Sequence, residues 1–282
     1  MRCAVKAVLT AVVIGAGTVP AAAATNAFAA STATAPPGYQ RVISAPIPIP
    51  PGTFDSGGQV VCPAGTVPWG GGAGFTGGFA STGENINTSA PTGDGWKARY
   101  NNSSTRTSDH FRVDAICAKQ PVGYTTTFTT VDNPAGSQSA AVAVCPVGTR
   151  LLSGGTLSTG DTVDVQLLSA WPLGKERFKS VNWNGSATDQ QLTTFATCGH
   201  RPAGYTIMSA TASDAGGPDT LIDSVPCPAG TSILGGGIHV TGPRPTVTLG
   251  ASLDDSATQW LSEVVNDAPD PATATIYAIC AA

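Results

Sequence analysis

The chain offers few groups able to act as acid, base, nucleophile or metal ligand. His110, His200 and His239 are its only histidines. They share no common spacing, and no Cys-x-x-Cys stands near them to complete a zinc site. No Gly-x-Ser-x-Gly elbow presents a serine nucleophile. Glycoside hydrolysis needs two facing carboxylates, but the glutamates are only Glu84, Glu176 and Glu263. Glu84 is expected in a loop, Glu176 in a charged turn beside Lys175 and Arg177, and Glu263 on a strand. Asp254-Asp255 reads as a turn without the spaced oxygen ligands of a calcium loop. Runs such as Gly235-Gly236-Gly237 could cradle a phosphate, but no helix-forming stretch or P-loop lysine follows them. No metal, cofactor or catalytic constellation is expected, and a secreted hydrolase is the least favoured reading.

Aromatic residues supply the one hint of ligand chemistry, since an exposed tryptophan on a β-sheet can stack against the apolar C–H face of a sugar ring. Trp96, Phe178 and Trp260 are spaced 82 and 82 residues apart, and Trp69 aligns with Leu152 and Leu234. Recurrence of bulky residues at one register is a core signature. Trp171 and Trp183 have no aromatic equivalents in the other copies. They are therefore the candidate ligand-binding residues, expected to be exposed.

These residues are positioned by a threefold internal repeat. Cys62-Pro63-Ala64-Gly65-Thr66, Cys145-Pro146-Val147-Gly148-Thr149 and Cys227-Pro228-Ala229-Gly230-Thr231 recur at intervals of 83 and 82 residues. Each is followed by a glycine run: Gly70-Gly71-Gly72, Ser153-Gly154-Gly155 and Gly235-Gly236-Gly237. Glycine inside a strand contributes no packing, so its recurrence predicts that another backbone or a disulfide passes close over it. The openers Pro36-Pro37-Gly38-Tyr39, Pro121-Val122-Gly123-Tyr124 and Pro202-Ala203-Gly204-Tyr205 put a turn before each first strand. The last strand alternates cleanly: Phe111, Val113, Ala115 and Cys117 share one face.

Each unit is thus about 80 residues of five or six antiparallel strands, a β-sandwich or Greek-key repeat. The expected division is a signal peptide over 1–24, a flexible lead-in over 25–35, and repeats over 36–119, 120–201 and 202–282. Three sandwiches in a row are expected. The alternative is a single closed threefold body resembling a β-prism.

The leader carries Arg2 and Lys6, then an uncharged run over 7–16 and the small residues Ala22-Ala23-Ala24. That order reads as a secretory signal, too short for a membrane anchor. Six cysteines follow it, and the intervals Cys62–Cys117, Cys145–Cys198 and Cys227–Cys280 are 55, 53 and 53 residues. Of the 15 connectivities six cysteines allow, one bridge per repeat fits that periodicity. Closing such a loop contributes roughly 4 kcal/mol by restricting the unfolded chain. The full sequence has 14 basic and 18 acidic residues with no block of like charge. Without clustered Lys and Arg, nucleic acid is excluded as a partner.

Taken together, Cys-Pro-x-Gly-Thr, the glycine run, an aromatic strand and a closing Ala-x-Cys resemble repeats in uncharacterised secreted proteins of high-GC Gram-positive bacteria. The resemblance covers roughly 36–282. It implies export and one disulfide per repeat, and it implies no activity. Ser153 departs from the pattern, as does the Pro-rich insertion Pro46 to Pro51 in the first repeat. The expected function is a secreted, non-catalytic binding or interaction module whose partner is a cell-wall or other polysaccharide, or an extracellular protein. A structural or surface-coat role is the alternative.

Overall fold

The computed structural model describes residues 35–282 except 77, 79, 81, 82, 105–108, 161, 218, 243 and 244. The expected signal peptide, and all of the lead-in but Ala35, lie outside the described residues. Repeat 1 contains β1 (Gln40–Ile43), β2 (Ile47–Ile49), β3 (Thr53–Val61), β4 (Val67–Phe75), β5 (Glu84–Pro91), β6 (Gly95–Asn102) and β7 (Asp109–Ala118). Repeat 2 contains β8 (Thr125–Asn133), β9 (Ser137–Val144), β10 (Arg150–Ser158), β11 (Val165–Pro172), β12 (Arg177–Asn184) and β13 (Gln190–Gly199). Repeat 3 contains β14 (Thr206–Ser213), β15 (Asp219–Pro226), β16 (Ser232–Val240), β17 (Val247–Ser256), β18 (Gln259–Asn266) and β19 (Thr273–Ala281). Every pairing between them is antiparallel, and no helix occurs among the described residues.

The strands form three sheets, and each sheet is shared by two repeats. Sheet A runs β1-β7-β4-β17-β18-β15, with β2 also on β7. Sheet B runs β3-β6-β5-β10-β13-β8, and sheet C runs β14-β19-β16-β11-β12-β9. Within a repeat, three strands of one sheet face three strands of another, with β2 as a fourth in the first repeat, which is the expected sandwich. Between repeats the sandwiches meet edge to edge at Ser252–Ala73, Thr156–Ser89 and Ala170–Ile238. The row therefore closes: repeat 3 pairs with repeat 1, and the sandwich and the closed threefold body describe one molecule at two levels. Its main cluster of buried apolar residues runs through all three repeats, and closure pairs strands β4 and β17, which an open row would leave as bare edges, a liability.

The glycine run now has a physical account, and it is backbone and aromatic rings that pass over it. A Cβ at Gly70 would lie 2.0 Å from the Leu234 carbonyl oxygen and 2.9 Å from the Ser153 Cβ, and one at Gly235 would lie 2.6 Å from the Ser153 Cβ. The first position of each run thus meets its counterparts at the centre of the molecule, where there is room for one side chain. Ser153 fills that place. The second position lies under the repeated aromatic: a Cβ at Gly71, Gly154 or Gly236 would come within 2.5 Å of Trp96, Phe178 or Trp260 respectively. The third abuts the preceding repeat's main chain, as at Gly237, whose Cβ would lie 2.2 Å from the Ala170 carbonyl oxygen.

Tyrosine ties the repeats in a ring. Tyr124 donates to the Pro68 carbonyl, Tyr205 to that of Leu151 and Tyr39 to that of Ile233, at 2.7, 2.7 and 3.0 Å. Each phenol reaches back to the preceding repeat, and Tyr39 closes the circuit from the first repeat to the last. The Arg41 guanidinium beside the buried Asp254 carboxylate crosses the same seam, with a further 2.7 Å bond to the Asp254 carbonyl. The disulfides Cys62–Cys117, Cys145–Cys198 and Cys227–Cys280 each lie within one repeat and join two different sheets. Asn102, Asn184 and Asn266 are fully buried, and their carboxamide oxygens accept from the amides of Ser104, Ser186 and Ala268 as the loop to the last strand begins.

Candidate functional site

The candidate site is the outward face of sheet C. On β12, Phe178 points inward onto Gly154, so alternation turns Lys179, Val181 and Trp183 outward. Trp171 is paired with Lys179, and Gln166 with Trp183, across β11. The bulge between Leu167 and Ser169 adds one residue to β11. Beyond β11, His239 on β16 lies opposite Thr275, and Gly237 opposite Tyr277 on β19. Leu168, Trp171 and Val181 form a buried cluster separate from the main core, with Trp183 and Tyr277 packed half-buried against it.

Trp171 and Trp183 thus share one face of one sheet. The expectation that both are exposed is corrected for Trp171, which is 6 % exposed. The His239 ring stacks on its indole with centroids 4.3 Å apart and planes at 22°, and the Lys179 ammonium stands 5.3 Å from the ring centroid. Burial and the Lys179 charge both push the His239 pKa down, so the stacked imidazole is neutral at neutral pH. Trp171 acts as a platform beneath His239, and Trp183, Tyr277 and His239 present the half-exposed surface.

Hydrogen bonding separates this face from the rest of the aromatic inventory. Trp69 donates to the Lys119 carbonyl, Trp96 to the Ser89 hydroxyl and Trp260 to the Ser252 hydroxyl. Tyr39, Tyr124 and Tyr205 are engaged as described, and Tyr100 donates to the Gly250 carbonyl. The side chains of the remaining tryptophans and tyrosine, Trp171, Trp183 and Tyr277, make no protein hydrogen bond among the described residues. They are the three that sit together on sheet C. Gln166, opposite Trp183, adds a buried side-chain oxygen without a partner. None of the three donors is among the side-chain atoms buried without a partner, so their indole N–H and phenol O–H groups are open to a hydroxyl-bearing ligand.

Equivalent positions on the other sheets carry different chemistry. Lys179, Val181 and Trp183 correspond to Lys97, Arg99 and Asn101 on sheet B and to Leu261, Glu263 and Val265 on sheet A. Tyr277 corresponds to Phe195 and to Asp114. Sheet A is ionic: Arg112 pairs with the buried Asp114 at 3.2 Å, and Asp254, with no exposure, lies in strand β17 rather than in the expected turn. Burial raises Asp254 despite Arg41, and raises Asp114 with help from the Asp254 charge. Glu263 is 3 % exposed, accepts from the Ala80 amide, and is pushed up to about 7, mainly by burial. It borders a cavity of about 120 Å³ with Arg112 and Asp255.

Glu84 is buried on β5 rather than in a loop, and Glu176 pairs with Arg150 at 2.6 Å. Glu176 stands apart from the other two, whereas the Glu84 charge is near enough to help raise Glu263. His110 and His200 are exposed on β7 and in a connector, away from His239. Among the described residues no group of three or more His, Cys, Asp or Glu is arranged to hold a metal.

Tyr277, His239, Lys179 and Gln166 were missed by sequence reasoning. Tyr277 carried a usable signal: it stands three residues before Cys280, off the core-facing alternation of Ala274, Ile276 and Ala278. No family model matches the chain, and no curated protein matches it in sequence.

Proposed function

We propose that the protein is a secreted, non-catalytic module that binds a polysaccharide, a cell-wall polymer in the first place, across the outward face of sheet C. The observation that carries this reading is the gathering of the three unengaged aromatic donors, Trp171, Trp183 and Tyr277, on that face. Aromatic rings offer apolar area to sugar C–H faces, while their N–H and O–H groups bond hydroxyls without a conformational search, since two χ angles fix each ring. Lys179 and the neutral His239 add polar contacts at the strip's edge. The three disulfides fit an oxidising environment, and no described helix is long and apolar enough to cross a membrane. Export through the leader at 1–24 and the resemblance to secreted repeat proteins of high-GC Gram-positive bacteria support a wall polymer as the ligand.

The test is a tryptophan-fluorescence titration with soluble fragments of peptidoglycan, chitin and cellulose. One of the three is expected to give a saturable change in the wild type that disappears in the Trp183→Ala, Tyr277→Ala double variant. Titrations unaltered by the double substitution would move the site elsewhere.

A further inference from the structure

A second site lies where the three repeat openers converge. The cavity there holds about 470 Å³, within the range of small-molecule pockets. Its walls are Pro36, Pro121, Val122 and Pro202 from the three openers, with the edge of the buried Trp69 between them. These walls are held by main-chain bonds: the Lys119 amide donates to the Pro37 carbonyl, that of His200 to Val122 and that of Ala282 to Ala203, each at 2.8 Å. The turns are fixed by Gly38, Gly123 and Gly204 at φ of +72°, +69° and +64°, a conformation that glycine adopts without strain. The pocket is therefore preformed.

Its side-chain charge is one-sided. Lys119 and Arg201 line it, His200 stands beside them, and no acidic side chain does. Neither Lys119 nor Arg201 has an ion-pair partner among the described residues. The threefold pattern is broken in the same place: Trp69 replaces the leucines at 152 and 234, and Gln120 stands where Arg201 does. An apolar floor with a cationic rim selects a ligand that is apolar at one end and negative at the other. We propose that this basin binds a small apolar carboxylate, independently of the polysaccharide face.

The probe is 2-naphthoate, titrated calorimetrically into the purified protein, with 2-naphthamide and inorganic phosphate as comparators. Saturable binding of the carboxylate is expected, at least tenfold tighter than the amide, and phosphate should not displace it. Val122 is 72 % exposed, so Val122→Glu leaves the fold intact while placing a negative charge in the basin; it should weaken naphthoate at least tenfold at an unchanged melting temperature. Lys119→Gln with Arg201→Gln should do the same, and Trp183→Ala should not. Absence of binding at millimolar naphthoate, equal affinity for the amide, displacement by phosphate, or indifference to Val122→Glu would each overturn the assignment.

Discussion

The meeting of Gly70, Ser153 and Gly235 at the molecular centre makes an energetic demand that a double-mutant cycle can measure. A methyl group added at Gly235 would sit 2.4 Å from the Ser153 hydroxyl oxygen and 2.6 Å from its Cβ, while the next neighbour, the Leu152 carbonyl oxygen, is 3.2 Å away. The obstruction is thus almost wholly the Ser153 side chain. Gly235→Ala alone should cost about 1–3 kcal/mol, the usual range for overpacking. In a domain of this size that lowers the melting temperature by about 2–4 °C for each kcal/mol.

In a Ser153→Gly background nothing nearer than the 3.2 Å carbonyl contact remains, and the same alanine should cost well under ~1 kcal/mol. The predicted coupling is about 1–3 kcal/mol, as for residues in direct contact. Ser153→Gly itself should be close to neutral. It removes a buried hydroxyl that has no partner, and the added glycine flexibility costs about 0.5–1 kcal/mol. Gly70→Ala supplies the control, because its Cβ would lie 2.0 Å from the Leu234 carbonyl oxygen and Ser153→Gly leaves that clash in place. The assay is chemical denaturation of the singles and both doubles. Additive Gly235→Ala and Ser153→Gly effects, or equal rescue of Gly70→Ala, would refute the threefold centre.

Two further outcomes follow from the seam between the first and last repeats. Tyr39→Phe removes the phenol that donates to the Ile233 carbonyl across the ring closure, and a loss of about 1 kcal/mol is expected by thermal or urea melts; an unchanged stability would mean that the tie contributes nothing. Because burial raises Glu263 from 4.5 to about 7, and raises Asp114 and Asp254 in the same direction, the folded chain keeps protons that the unfolded chain releases. Stability should therefore fall as pH rises from about 4 through 7, by at most about 1.4 kcal/mol per unit for each group. Melting at pH 5 should exceed that at pH 8, and Glu263→Gln should flatten the difference; a melting point rising with pH would contradict this.

The strands were legible in the sequence because alternation and repetition reinforce one another. Phe111, Val113 and Ala115 gave the core face of β7, and all three prove fully buried. The aromatic strand could be placed from Trp96, Phe178 and Trp260 at one register, and their rings lie over the glycines. Ring closure could be named from the sequence only as the alternative to an open row. It depends on which edge strands meet, and the meeting points, such as Ala170 with Ile238, are small or apolar residues with no pattern of their own. The expected turn at Asp254-Asp255 falls two residues later, at 257–258, because Asp254 pairs with Trp260 on β18, and its carboxylate is met by Arg41, 213 residues away. Half of the candidate site was readable, since Trp171 and Trp183 stood out as aromatics without counterparts. Their neighbours His239 and Tyr277 come from another repeat, and only the shared sheet C brings them alongside.

Co-sedimentation of the purified protein with insoluble peptidoglycan, chitin and cellulose reads polysaccharide binding without a label. Saturable depletion from the supernatant by one of these polymers is expected. The Trp183→Ala, Tyr277→Ala variant, folded and with its disulfides intact, should stay in solution. Depletion that survives loss of both rings, or no depletion by any polymer, would contradict a polysaccharide-binding role for the face of sheet C.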